Sequence, residues 1–176
     1  MLMHTTEEVV EFIADNPHLE ELEINLGELK KLPPLPPGLK RLKLERLRNL
    51  RSVPKLPTSL EELTVSNCDK VVRLPKFPKF LRKLTLHRND SLAVITSFPR
   101  GIEEILISCC PEMIRLPTVP LKVEQATILN SPLLMVAAQI QGFHVVHGHG
   151  AIMLSHRRNP LTQIVRDKAE LAFISY

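Results

Sequence analysis

The sequence predicts an α/β solenoid: a curved stack of short parallel strands, joined by extended proline-rich returns and closed by a helical cap at each end. Three observations predict it. A short apolar pattern recurs six times at a nearly constant period, prolines recur at two fixed offsets within that period, and one column between strand and return takes only Asn or Cys in its clearest copies. Self-similarity at about 20 residues is the signature of a stacked repeat in which no unit buries its apolar face alone.

The pattern is L-x-x-L-x-L. Its copies are LEELEI from Leu19, LKRLKL from Leu39, LEELTV from Leu60, LRKLTL from Leu81, IEEILI from Ile102 and VEQATI from Val123. The first spacing is 20 residues and the following four are 21. The chain is 44% apolar, and in a fixed frame that composition would fill all eighteen positions by chance on the order of once in a million.

The chain opens on Thr5-Thr6-Glu7-Glu8, a capping box, and Val9, Phe12 and Ile13 then share one face of a helix running to Asp15 before Asn16-Pro17. Residues 1–18 are therefore assigned to an N-terminal cap, 19–138 to the repeats and 139–176 to a C-terminal cap. Within each repeat the second and third apolar residues lie two apart, so both face the core of a short strand while their neighbours face out. The return half reads VPKLPTS from Val53 or LPKFPKF from Leu74. Pro54, Pro75 and Pro117, and Pro57, Pro78, Pro99 and Pro120, favour an extended segment outside any ladder.

Eight residues after the first apolar position stand Cys68, Asn89 and Cys110. LPTSLEELTVSNCDKVVRLPKFPKFLRKLTLHRND, with this column and its doubled L-P phasing, resembles leucine-rich repeats, specifically the short bacterial class best known from secreted effectors of Gram-negative pathogens. The resemblance spans about Leu19 to Asn130. It implies a curved, non-catalytic binding module, with the Asn/Cys side chains turned inward onto backbone groups as buried structural residues. The cysteine-dependent ubiquitin-ligase domain of some members is not expected, because no cysteine follows Asn130.

Beyond the sixth copy, SPLLMVAAQIQG from Ser131 suits a short helix, FHVVHG from Phe143 matches the strand frame as a degenerate seventh strand, and AIML from Ala151 suits a last extended piece. Asn159-Pro160 then opens a terminal helix carrying Leu161, Ile164, Val165 and Ala172.

Stacking aligns the outward residues into columns. The first is Glu20-Glu21, Lys40-Arg41, Glu61-Glu62, Arg82-Lys83, Glu103-Glu104 and Glu124-Gln125, whose sign alternates strand by strand. Such a column fixes register, and that structural reading is preferred over a charge-reading site. The next columns, Glu23, Lys43, Thr64, Thr85, Leu106, Thr127 and then Glu45, Ser66, His87, Ser108, Leu129, become neutral from the third strand onward. An outward leucine gains nothing unless something covers it. Thr64, Thr85, His87, Leu106, Thr127 and Leu129 are the expected partner-binding residues, with coverage by the C-terminal cap the alternative for Leu129.

The net charge of +4 comes mostly from the return side, through Lys31, Lys55, Arg73, Lys76, Lys79, Arg100 and Arg115. Solvated lysines keeping an apolar return soluble are the preferred reading, and a stripe for an anionic partner, nucleic acid or a membrane surface, is the alternative. His144, His147, His149 and His156 form the one chemically suggestive cluster. His147 and His149 share a direction in the strand frame, but no third ligand follows, so no metal and no cofactor is expected. No phosphate-binding glycine loop and no nucleophile with an identifiable base is present, so an enzyme is not expected.

Three cysteines, two of them adjacent at Cys109-Cys110, argue for reduced thiols. The acidic start does not read as a secretory leader. The expectation is a protein-binding bacterial effector, cytoplasmic or delivered into a host cell by a leaderless route, that acts in virulence on a host protein.

Overall fold

In the computed structural model each copy of the pattern becomes a strand. The structure describes residues 6–131 except Leu26, Arg115 and Leu121, together with strands 143–148 and 151–156. Helix α1 spans Thr6–Asp15. Six strands come next, β1 (Glu21–Ile24), β2 (Arg41–Glu45), β3 (Glu62–Ser66), β4 (Lys83–His87), β5 (Glu104–Ser108) and β6 (Gln125–Leu129), and then β7 (Phe143–Gly148) and β8 (Ala151–His156). Strands β1 to β6 pair in chain order, all parallel, with equivalent positions of successive copies opposite one another, as in Leu42↔Leu63 and Leu63↔Leu84. The architecture is a β-solenoid.

The predicted strand frame holds in every copy. Leu22/Ile24, Leu42/Leu44, Leu63/Val65, Leu84/Leu86, Ile105/Ile107 and Ala126/Ile128 are all buried, and so are Leu39, Leu60, Leu81, Ile102 and Val123 at the head of each later copy. The returns supply the opposite wall of the same core through Val53/Leu56, Leu74/Phe77, Ile95/Phe98 and Val119. Phe77 and Phe98 lie nearly parallel, with ring centroids 6.5 Å apart and planes at 9°. Val9 and Ile13 of α1 belong to this core. The helix ends where Asn16 Nδ2 donates to Phe12 O at 2.8 Å, which satisfies one of the last carbonyls before Pro17.

The returns are less uniformly extended than expected. Each ends in a tight turn in which the head residue of the next copy donates back to a proline carbonyl: Leu39 N to Pro36 O, Leu60 N to Pro57 O, Leu81 N to Pro78 O and Ile102 N to Pro99 O, each at 3.2 Å. Proline therefore contributes an acceptor there, although it can donate nothing to a ladder.

After each of β2 to β6 the chain turns a corner through one residue in the left-handed region. Arg46, Asn67, Arg88, Cys109 and Asn130 have φ between 47° and 56°. At the first four, the residue's N–H still donates to the following rung at 2.9 Å, as in Asn67 N to His87 O, so the ladder continues through the bend.

Immediately inside that corner the Asn/Cys column forms a chain of buried hydrogen bonds. Asn89 Nδ2 donates to Val65 O at 2.9 Å and its Oδ1 accepts from Cys68 N at 3.1 Å. Ser131 Oγ accepts from Cys110 N at 3.2 Å. Cys68 and Cys110 have their Sγ atoms 3.4 and 3.5 Å from Ser66 O and Ser108 O, and burial pushes both thiols up to about 11. At ordinary pH they are neutral and inert.

The C-terminal end departs from expectation. Phe143–Gly148 does form a strand, but it is not the next parallel rung: β8 lies antiparallel against β6, and β7 pairs antiparallel with β8, giving the order β6-β8-β7. Gly148 pairs with Ala151, and a two-residue connection can join only antiparallel strands, so β7 and β8 form a hairpin, and it is the second strand of that hairpin, not the first, that lies against β6. The helices expected from Ser131 to Gly142 and after Asn159, and hence most of the C-terminal cap, lie outside the described residues.

Replacing Asn89 with Ala orphans the buried Cys68 N–H and one contact on Val65 O, and is expected to cost about 2–4 kcal/mol in urea unfolding, with Asn89→Ser milder because Ser131 fills the same column. In the folded protein a thiol reagent is expected to modify Cys109 alone. Denaturant is expected to expose all three cysteines, as thiol titration with and without denaturant would record.

Candidate functional site

Alternation along each strand sends every second side chain to the outer face of the sheet, and parallel pairing in register aligns those side chains across strands. Three rows result. The first crosses Glu21, Arg41, Glu62, Lys83 and Glu104. The second runs Glu23, Lys43, Thr64, Thr85, Leu106 and Thr127, and the third Glu45, Ser66, His87, Ser108 and Leu129.

The expected sign alternation becomes ion pairs at two places. Between β1 and β2, Lys40 meets Glu20 and Lys43 meets Glu23, both at 2.8 Å, and Arg41 pairs with Glu21. Between β4 and β5, Lys83 meets Glu104 at 2.7 Å and Arg82 meets Glu103 at 3.3 Å. Lys43 also reaches Glu45 at 3.0 Å. The hydrogen bond from Lys40 holds the Glu20 carboxyl below its ordinary value, and the same kind of contact raises Lys40, Lys43 and Lys83. These groups are well exposed, so solvent screens each pair and it adds little stability. Their effect is on register rather than on total stability.

The face consequently has two halves. Over β1 to β3 it is a charged groove of about 440 Å³ whose walls include Glu21, Glu23, Arg41, Lys43, Glu62 and Thr64. From β3 onward the middle row is uncharged, with Thr64, Thr85 and Leu106 side by side and each partly exposed.

Four of the six expected contact residues therefore stand close together on the outer face, namely Thr64, Thr85, Leu106 and, in the adjoining row, His87. Thr127 continues the middle row but is only 4% exposed, so it offers a partner almost nothing. Leu129 is half-buried and pairs with Ala151 of β8, as expected if C-terminal structure covers it in part. Ser66 and Ser108 face outward in the frame yet are buried at 8% and 5%. Small side chains between larger neighbours are shielded by them.

His87 Nδ1 lies 2.7 Å from Ser108 Oγ, a contact across neighbouring rungs that the sequence frame contains but does not single out. Burial first, and then the Arg88 charge, hold the His87 imidazole below its ordinary value. The ring is thus neutral near pH 7 and fixed by the serine. Of the other histidines noted in the sequence, His144 and His147 lie on β7 and His156 ends β8, while His149 lies outside the described residues. Among the described residues no group of three His, Cys, Asp or Glu is placed to share a metal ion.

On the opposite wall the return-side cations Lys31, Lys55, Arg73, Lys76, Lys79 and Arg100 are exposed or partly exposed; Arg115 lies outside the described residues. Among the described residues no helix is long and apolar enough to cross a membrane.

The fold and its outer face define a β-solenoid with an in-register strand wall. No protein-family model matches the chain, and no curated protein matches it.

The depressed His87 value has a signed consequence. The unfolded chain takes up a proton at this ring before the folded one does, so the stability present near neutral pH is lost as the pH falls below about 6.5. Melting temperatures measured between about pH 7.5 and 5.5 are expected to drop more in the wild type than in His87→Gln.

Proposed function

We propose that this chain is a leucine-rich-repeat protein that binds a partner protein on the concave strand face and has no catalytic activity of its own. The observation that carries the reading is the uncharged row Thr64, Thr85 and Leu106, set in register on three adjacent rungs and flanked by the charged groove of β1 to β3. A partly exposed leucine between threonines offers apolar contact with little desolvation cost, and the charged groove beside it supplies orientation. The C-terminal hairpin and α1 act as the caps that an open stack requires at its ends.

Thr64, Thr85, His87 and Leu106 form the centre of the contact, with Leu129 at its margin. The likeness of the repeat unit to those of secreted bacterial effectors supports the further reading that the protein acts in a host cell by occupying a host protein.

Leu106→Asp places a charge in the middle of the row. In affinity capture from host lysate, the wild type and a Lys76→Gln/Lys79→Gln variant are expected to retain the same specific partner, and Leu106→Asp to lose it at least tenfold while melting normally. Retention of that partner by Leu106→Asp would remove the strand face from consideration.

A further inference from the structure

The return side carries an opposite electrostatic arrangement. Residues 29–38, 50–59, 71–80, 92–101 and 113–120 contain no Asp or Glu; the nearest acids stand beyond their ends, Glu28, Asp69, Asp90 and Glu112 before them and Glu61 and Glu103 after. All the ion pairs found among the described residues join side chains of the strand face and its corner, from Glu20 to Glu104. None involves Lys55, Arg73, Lys76, Lys79 or Arg100. The excess positive charge is therefore collected on one wall, away from the acids that would neutralise it, at substantial self-repulsion.

That wall is also apolar where it has no need to be. Phe80 is 55% exposed, Val72 and Ile114 each 53% and Val94 42%. Val72 and Val94 sit on neighbouring returns, tied by the Arg73↔Val94 bridge and by Ala93 N donating to Val72 O at 3.0 Å. Lys79 Nζ lies 4.5 Å from the centroid of the Phe80 ring, so cation and aromatic present themselves together. Between the first two returns runs an apolar furrow of about 560 Å³, lined by Leu32, Pro34, Leu35, Pro54, Leu56 and Pro57, with Lys55 beside it.

From this combination we infer that the return face docks on anionic lipid bilayers. Phosphate and carboxylate headgroups complement the Lys and Arg of this wall, and the adjoining acyl boundary accepts Phe80 and the exposed aliphatic side chains. A nucleic acid would satisfy the cations as well, but it leaves Val72, Val94 and Ile114 in water, and one exposed ring is a poor platform for stacking successive bases. Proline-held returns preset the surface, so little ordering entropy opposes binding. The inference concerns the wall opposite the strand face and does not rest on the protein-binding reading.

Sedimentation of the full chain with vesicles of phosphatidylcholine, alone or with about 30% phosphatidylserine, tests it. Binding is expected to the anionic vesicles only and to weaken with added salt. It is expected to fall about fivefold for each cation removed in Lys76→Gln and Lys79→Gln, and several-fold in Phe80→Ser. Leu106→Asp is expected to bind the vesicles like the wild type, which keeps this result separate from partner capture. Absence of binding at low salt, equal binding to neutral vesicles, or indifference to the return-face variants would overturn the inference. So would tighter binding to a single-stranded RNA oligomer that Phe80→Ser leaves unchanged.

Discussion

Everything in this molecule depends on one constraint: each rung must find its neighbour in register. A unit of about 21 residues is a single layer, and its inward aliphatic side chains are covered above and below only because the preceding and following rungs stand against them. The backbone ladder and the core are thus formed by the same event. Where the ladder would be interrupted at the corner, the left-handed residues at positions 46, 67, 88 and 109 carry their N–H groups onto the next rung. The Asn/Cys column behind them satisfies the backbone groups that the bend would otherwise strand.

That constraint also separates the roles of the two exposed walls. On the strand face acid meets base between β1 and β2 and between β4 and β5, and from β3 onward the central row is uncharged. On the return face there are no acids to balance the cations. The two walls therefore differ in sign: the outward positions of the strand wall hold nine acids, from Glu20 to Glu124, against five bases, from Lys40 to Lys83, while the returns hold cations alone, within a protein whose net charge is only +4.

Much of this was legible in the sequence, for a physical reason. A period-2 pattern nested in a 21-residue repeat leaves only one frame in which every apolar residue is inward, and Leu63, Leu84 and Ile105 obey it. The ion-pair ladder and the inert thiols come from the same frame. The corner conformation is harder to see, because only Asn67 and Asn130 among its five residues are types that readily accept a positive φ; Arg46, Arg88 and Cys109 conceal it. The direction of the last strands is hidden because Phe143 keeps the spacing of the repeat, while the short Gly148-to-Ala151 connection that reverses the chain lies outside the repeat pattern. Burial of Thr127, Ser66 and Ser108 depends on the bulk of neighbours across strands, which an alternation rule does not contain.

The alternating sign of the outermost row bears on how such a chain could gain or lose coils. Backbone geometry is indifferent to copy number, since any rung can stack on any other. Electrostatics is not: excising residues 62–82 would leave Arg41 beside Lys83, while removing two consecutive coils would restore acid against base. Duplication or loss in pairs is the change this lineage of rungs tolerates best.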